Sequence, residues 1–226
     1  MIKIYLYTIW VYLPDTMKNF NYYQKNLSLH LLRNFFLKHG KQHTYRKKDF
    51  FIRQHEVSRS AGWVESGSFQ YSFTDEEGLE HIVGYAFENE FVCDYSSFIK
   101  SQQSKVSIQA ISDCVVYEIA LNELVTYWEV NLDNLKEGKK AAENLYELAY
   151  DRFLDSYCSP MIRYKKLMSR CPKLKEKVPL RSIASFLGVT PETISHIRKK
   201  IRLDGKSWIC SRLFFCLLLY FAPFKN

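Results

Sequence analysis

Residues 180–201 read LRSIASFLGVTPETISHIRKKI, and this stretch predicts the fold because its small, turning and apolar positions match those of a helix-turn-helix. Gly188 falls at the expected turn, where a positive φ is tolerated. The second helix has a marked start, since Thr190 offers a capping hydroxyl and Pro191 suits the first helical position. The shared apolar face is expected to contain Ile183, Ala184, Leu187, Val189, Ile194 and Ile197. The pattern predicts DNA as partner, and an ordinary helical hairpin in another all-α module is the alternative.

The charge of the chain is concentrated around this motif. The 226 residues carry a formal net charge of +8, yet residues 160–206 contain 13 Lys and Arg against 3 Asp and Glu. The rest of the chain is therefore slightly acidic. A segregated basic region suits attraction to phosphates, whereas a merely solvated surface usually interleaves its signs. The charge supports a nucleic-acid partner only because it coincides with the motif.

The second helix predicts which side chains read bases. Those that its inner face does not need lie near its start, and the candidate base readers are Glu192, Ser195 and His196. The candidates for contacts with the phosphate backbone, which fix register without reading sequence, are Thr190, Arg181, Arg198, Lys199 and Lys200. Ser195 and the neighbouring Thr193 have an alternative role in helix start or packing.

The rest of the chain divides into a β-rich half and a helical half. Residues 44–119 read as short strands, with hairpins expected at 65–68 and 74–78, after a short helix at 27–39. A long helix is expected at 132–158, with Gly138 as its weak point, and a further helix follows from Met161 until Pro172 stops it. One apolar stripe of the long helix is a candidate dimer seam, and covering the β half is its alternative role. The seam residues are Leu135, Ala142, Leu145 and Ala149.

The two ends of the chain have unusual compositions. Residues 1–16 are apolar and aromatic without the features of a secretion signal, and we expect the natural start at Met17. Residues 206–226 form an apolar tail of unclear role, for which a membrane anchor is one reading. The six cysteines show no metal-ligand spacing, so we expect reduced thiols in a cytoplasmic protein and no metal.

The order of these elements resembles the Crp/Fnr family of bacterial transcription regulators over residues 28–202. The most specific parts are GWVESGSFQYSFTDEEGLEHIVGYAFENEF at 62–91, which looks like the β-roll hairpins of the family, and the segment 163–201. The resemblance implies an α+β fold with an N-terminal antiparallel, jelly-roll-like β-roll, a long dimerisation helix and a C-terminal winged helix-turn-helix. The expected domains are a doubtful extension (1–16), a cyclic-nucleotide-binding-like sensor (17–129), a dimerisation helix (130–158), a DNA-binding domain (159–205) and the tail (206–226).

The chain departs from this family where cyclic-nucleotide-binding members hold their ligand. The family pattern is a glycine and a glutamate followed by an arginine–serine pair, and the corresponding positions here are Cys93, Asp94, Ser104 and Lys105. Without the arginine the site loses its bidentate phosphate clamp, so cyclic AMP is disfavoured as effector. The sequence also lacks the cysteine cluster that would hold an iron–sulfur centre, and it offers no evident pair of haem ligands. We expect no cofactor.

The resemblance implies a regulator and not an enzyme. The expected partners are an imperfect palindrome of double-stranded DNA and a second copy of the chain, with RNA polymerase and an unidentified small-molecule effector as candidates. A cupin-type metalloenzyme would need a His-x-His pair, whereas the β half offers isolated histidines. The alternative function is a membrane-associated or degenerate adaptor that keeps the sensor fold and no longer reads DNA.

Overall fold

The computed structural model describes residues 20–21 and 29–202. The expectations for residues 1–16, for the apolar tail and for a wing after the helix-turn-helix lie outside these residues. The strands are β1 (Lys41–Tyr45), β2 (Phe50–Ile52), β3 (Ser60–Ser66), β4 (Ser68–Thr74), β5 (Glu80–Phe87), β6 (Phe91–Val92), β7 (Ser107–Ala110) and β8 (Cys114–Ala120). The helices are α1 (His30–His39), α2 (Tyr95–Lys100), α3 (Leu121–Glu129), α4 (Leu132–Ser156), α5 (Pro160–Arg170), α6 (Leu174–Lys177), α7 (Leu180–Phe186) and α8 (191–202).

The eight strands form two four-stranded antiparallel sheets, with strand orders β1-β8-β3-β6 and β2-β7-β4-β5. We call residues 41–120, which contain them, the β-roll. Its interior is filled by buried side chains from both sheets, among them Val64, Phe69, Ile108 and Val116. The expected jelly-roll-like antiparallel architecture is confirmed.

The predicted hairpin at 65–68 is wrong in its pairing, although the turn exists. Strand β3 pairs with β6 and β8, whereas β4 pairs with β5 and β7, so the chain crosses from one sheet to the other at Gly67. Gly67 has a φ of +94°, and a Cβ there would lie 2.4 Å from the carbonyl oxygen of Asp113. Only glycine satisfies both conditions. The second hairpin is confirmed, because β4 and β5 pair across the turn at 75–79.

Four helices cover the sheet that contains β3. Helices α1, α2, α3 and α4 pack with it around Trp63, Phe36 and Ile119. The long helix begins at Asn131, whose side chain accepts a hydrogen bond from the Asn134 amide at 2.8 Å. Gly138 is not a weak point of α4, because a Cβ at this position would lie 2.6 Å from Nε1 of Trp128. It is the residue at which α3 and α4 approach each other closely.

Helices α5 to α8 form the C-terminal helical module, residues 160–202. Its core contains Tyr164, Leu167 and Leu174 together with the inner face of α7 and α8. The same cluster of buried residues continues into β5 through Ile82, Tyr85 and Phe87. The helical module and the β-roll therefore share one apolar core. Within the described ranges, 20–21 and 29–202, no helix is long and apolar enough to cross a membrane.

Candidate nucleic-acid interface and sensor site

The turn between α7 and α8 has the geometry that its sequence predicts. Gly188 has a φ of +60°, and the Val189 amide donates to the carbonyl of Ala184 at 3.0 Å. Helix α5 braces this turn, since Nη1 of Arg163 donates to the Leu187 carbonyl at 2.7 Å. All six residues expected on the inner face are buried or half-buried. The two helices are thus held as one rigid unit by packing and by the brace.

The start of α8 carries a polar cluster around Thr190. The hydroxyl oxygen of Thr190 accepts a hydrogen bond from the Thr193 amide at 3.3 Å, which makes Thr190 the N-cap. The pKa of Glu192 is lowered, first by its own backbone amide and then by a hydrogen bond from the Thr190 hydroxyl. Glu192 is therefore an ionised acceptor at neutral pH. An acceptor at a helix start suits the amino group of a cytosine in the major groove.

The three candidate base readers lie on one exposed face of α8. Glu192, Ser195 and His196 are three and four residues apart and are all exposed, opposite the buried Ile194 and Ile197. The Ser195 hydroxyl donates to the Pro191 carbonyl at 3.0 Å, so its proton is engaged within the helix. Ser195 can still accept a hydrogen bond from a base edge.

The candidate phosphate contacts surround this face. Arg181, Lys199, Lys200 and Thr190 are exposed, and Arg198 is half-buried. Arg181 lies on α7, whereas the three other cations lie on the C-terminal half of α8, so both helices of the motif carry candidate phosphate contacts. Such an arrangement matches the usual division of labour, in which phosphate contacts position a helix and base contacts specify the sequence.

Three of the four positions proposed for an effector, Cys93, Asp94 and Ser104, form hydrogen bonds within the chain. Asp94 caps α2 by accepting from the Ser97 amide at 3.3 Å, and it accepts from the Ser104 hydroxyl at 2.7 Å. The Cys93 amide donates to the Tyr71 hydroxyl at 3.2 Å, and burial raises the pKa of the Cys93 thiol to about 12. Lys105 is exposed and does not join this network. The structure thus brings Asp94 and Ser104 together and places Lys105 apart.

Sequence reasoning missed a buried carboxylate at Glu90, in the turn between β5 and β6. Glu90 is fully buried and accepts hydrogen bonds from the Asn21 amide at 2.8 Å, the Asn21 carboxamide at 2.9 Å and the Phe87 amide at 3.0 Å. Burial raises its pKa to about 7, against the opposing effect of these donors and of Lys177. The available signal was a glutamate between aromatic residues in FENEF at 87–91.

Asn89, which precedes it, adopts a φ of +64°, a conformation that glycine favours. Asn89–Glu90 is therefore a second candidate for the glycine–glutamate pair of the family pattern, beside Cys93–Asp94.

The stripe predicted as a dimer seam is divided between two surroundings. Leu135 and Ala149 are exposed, whereas Ala142 and Leu145 are half-buried, and Leu145 packs against the covered sheet. A larger exposed apolar surface lies beside the predicted stripe, toward the end of α4. It consists of Tyr146, Tyr150, Phe153, Leu154 and Tyr157. The rings of Tyr146 and Tyr150 are stacked, with centroids 6.1 Å apart.

Among the residues that the structure describes, no group of three or more His, Cys, Asp or Glu side chains is placed to hold a metal ion. The four cysteines within these ranges, Cys93, Cys114, Cys158 and Cys171, are free thiols.

Comparison with known proteins agrees with this architecture. Residues 42–130 match the cyclic nucleotide-binding domain family. Over 177 residues the chain is 24% identical to the cAMP-activated global transcriptional regulator CRP of Salmonella typhimurium. The aligned region covers 74% of this chain and 84% of that protein. The corresponding regulator of Pasteurella multocida is 23% identical over the same length, covering 74% of this chain and 85% of that protein.

Solved structures show the same fold. FixK2 from Bradyrhizobium japonicum superposes with a TM-score of 0.62 at 17% identity, covering 74% of this chain and 86% of that chain. The c-di-GMP responsive global regulator CLP of Xanthomonas campestris gives a TM-score of 0.55 at 19% identity, covering 77% of this chain and 91% of that chain. A CooA mutant from Carboxydothermus hydrogenoformans gives 0.58 at 17% identity, with coverages of 75% and 79%.

Proposed function

We propose that this chain, a homologue of the Crp/Fnr regulators with a cyclic nucleotide-binding domain at residues 42–130, is a cytoplasmic, dimeric and sequence-specific DNA-binding transcription regulator. The curated relatives that it matches are named as transcriptional regulators. One observation carries the DNA-binding part of the proposal. It is the rigid helix pair α7–α8, which presents Glu192, Ser195 and His196 on an exposed face flanked by cations.

The proposed reading of DNA follows from the side chains on that face. Glu192 accepts from a cytosine amino group, and Ser195 accepts from a donor on an adjacent base. His196 occupies the position at which an arginine would form two hydrogen bonds with guanine. A histidine ring cannot form this bidentate contact. Arg181, Arg198, Lys199 and Lys200 hold the phosphates on both sides, with Thr190 at the helix start.

The proposed dimer forms through α4. This 25-residue helix packs against the β-roll with one face, and Tyr146, Tyr150 and Phe153 are exposed on another, with Tyr157 directly after its end. A cluster of exposed apolar side chains of this kind marks an interaction surface. The exposed Leu135 and Ala149 lie on the same helix and continue this surface toward its start. A two-fold pair would place two copies of α8 about one turn of DNA apart, which predicts an imperfect palindrome as binding site.

The proposed effector is not cyclic AMP. The proteins that this chain resembles differ in their effectors, since one is named as cAMP-activated and another as c-di-GMP responsive. In this chain the Ser104 hydroxyl donates a hydrogen bond to Asp94, and Lys105 is exposed. The interior of the β-roll is filled with side chains such as Phe69 and Ile108. The proposal therefore leaves the input open to a molecule of a different class from a cyclic mononucleotide.

The test of the function is selection of duplex DNA from a random pool by the full chain, followed by affinity measurements at several salt concentrations. We expect an enriched imperfect palindrome. Glu192→Ala should relax the preference at one base pair of each half-site by about 1–3 kcal/mol, because one base contact is lost. Lys200→Ala should weaken all sequences alike and reduce the salt dependence by about one released counterion per half-site.

The matched control is Lys38→Ala, which removes an exposed lysine from α1 on the β-roll. It should leave both the affinity and the salt dependence unchanged. A pool that yields no enriched sequence would overturn the proposed function and favour an adaptor. Equal losses of specific and random binding in the Glu192 and Lys200 variants would overturn the assignment of the readers.

A further inference from the structure

Phe20 is a completely buried aromatic residue that lies outside both structural modules in the sequence. Its ring packs edge-on against Tyr85 and Phe87 of β5, with centroid distances of 5.2 and 5.9 Å, and against Phe186 of α7 at 5.3 Å. One ring thus contacts the β-roll and the helix-turn-helix at the same time. Aromatic pairs in this edge-to-face geometry are favourable beyond the area that they bury.

Two arginines complete the surroundings of this ring. The guanidinium of Arg152, near the end of α4, lies 5.3 Å from the centroid of Phe20, and that of Arg170, at the end of α5, lies 5.4 Å from it. Both distances are within the range of a cation–π contact. Arg152 also donates to the Val83 carbonyl of β5 at 3.4 Å. The ring is therefore held by four elements, β5, α4, α5 and α7.

Asn21 fixes the polar side of the same position. Its amide and carboxamide donate to Glu90, its carboxamide also donates to the Tyr85 carbonyl at 2.8 Å, and its oxygen accepts from Arg152 at 3.3 Å. Asn21 thus satisfies a buried carboxylate that would otherwise lose most of its donors. An unsatisfied buried carboxylate is costly, so the pairing is specific for a residue with both an amide donor and an acceptor.

The two modules also contact each other directly beside Phe20, where the rings of Tyr85 and Phe186 lie 6.1 Å apart. The Ile82 amide donates to the Ser185 hydroxyl at 3.0 Å, and the Lys177 ammonium lies 4.7 Å from the centroid of the Phe87 ring. Both contacts lie beside the position of Phe20. The Phe20 ring extends this direct contact between β5 and α7, because it packs against both elements at once.

We propose that Phe20 and Asn21 act as an intramolecular ligand, seated in a socket between the β-roll and the helical module, and that their seating sets the position of α7 and α8 relative to β5. The socket consists of Tyr85, Phe87, Glu90, Arg152, Arg170 and Phe186. It fits an aromatic ring followed by a carboxamide, because the ring fills the apolar and cationic side and the carboxamide meets the carboxylate. The position of α7 and α8 then depends on the seating of Phe20 and Asn21.

This inference concerns contacts within one chain and does not depend on the proposed DNA binding. Its test is residue-resolved amide hydrogen exchange of the full chain without DNA. In Phe20→Ala the exchange rate of the Ile82 amide, relative to that of the buried strand residue Ile108, should rise about tenfold or more, because loss of the ring frees α7 from β5 locally. Asn21→Ala should give a smaller rise of the same ratio, about threefold, since the ring remains seated.

The matched control is Phe98→Ala, which removes an equally buried phenyl ring from α2 of the β-roll and leaves the socket intact. It should not raise the exchange of Ile82 relative to Ile108. If Phe20→Ala prevents folding, Phe20→Leu keeps most of the volume but removes the ring contacts, and we expect about a threefold rise of the ratio. An unchanged ratio in the Phe20 and Asn21 variants, or the same rise in Phe98→Ala, would overturn the proposal.

Discussion

The buried Glu90 carboxylate makes the stability of the protein depend on pH in a direction opposite to that of most carboxylates. Its pKa is about 7 in the folded chain, against 4.5 for an unperturbed glutamate, because burial outweighs its three hydrogen-bond donors and Lys177. Arg170 and Cys171 also face it from the helical module. A raised pKa means that the folded state holds the proton more tightly. The stabilisation is fully present below pH 4.5 and is lost as the pH rises through 7.

The change to test is Glu90→Gln, which removes the titration while keeping the size of the side chain. Between pH 5 and pH 8 the wild type should lose about 2–3 kcal/mol of unfolding free energy through this one group, since each pKa unit corresponds to about 1.4 kcal/mol. Glutamine meets the Asn21 and Phe87 donors with one acceptor, so the variant should be offset by a constant amount at all pH values. That offset cancels when the difference between variant and wild type is compared at the two pH values.

The assay is urea denaturation of both proteins at pH 5 and pH 8, with Glu88→Gln as the matched control. Glu88 is exposed and lies two residues away, so its replacement removes a carboxyl group without touching the socket. Between pH 5 and pH 8 the unfolding free energy of Glu90→Gln should rise by about 2–3 kcal/mol relative to that of the wild type. The unfolding free energy of Glu88→Gln should not change relative to that of the wild type. If the unfolding free energies of the wild type and Glu90→Gln changed by the same amount between pH 5 and pH 8, the reasoning would be refuted.

Two further predictions concern the turn of the helix-turn-helix and the surface of α4. Gly188→Ala should lower the unfolding free energy by about 1 kcal/mol in thermal or urea denaturation, because its φ of +60° strains any other residue, whereas Gly84→Ala, which adds a Cβ in ordinary contact with Tyr71, should not. Equal effects of the two changes would contradict the role of the φ angle. Tyr150→Glu should convert the proposed dimer to a monomer in analytical ultracentrifugation without loss of helical signal, because it places a charge in the proposed interface. An unchanged dimer would contradict that interface.

The helix-turn-helix could be predicted from the sequence because its determinants are local. The turn at Gly188, the cap at Thr190 and the inner face with Ile194 all depend on neighbours within about twenty residues, and all three predictions are confirmed. The pairing after Gly67 could not be predicted in this way. A tight turn between two strands looks the same whether they pair with each other or enter different sheets, and only long-range contacts decide between the two.

The socket was invisible to sequence reasoning for a related reason. Phe20 is one of 16 phenylalanines, and nothing in its neighbourhood distinguishes a buried ring from an exposed one. Glu90 was missed because the family pattern directed attention to Cys93 and Asp94, a few residues further on. The hydrogen-bonding partner of Glu90, Asn21, lies 69 positions away in the sequence, and no local pattern links the two residues.

The two faces of β5 also limit which sequence changes the protein can accept during evolution. Tyr85 and Phe87 point into the core shared with the helical module, and Ala86 between them points into the roll. Insertion or deletion of one residue between Tyr85 and Phe87 would turn one of the two rings toward the roll, because side chains alternate between the faces over this part of the strand. That ring would crowd the roll while the helical module lost part of its support. Related chains should therefore vary in length at the exposed turn around Gly78 and keep the length of β5 constant.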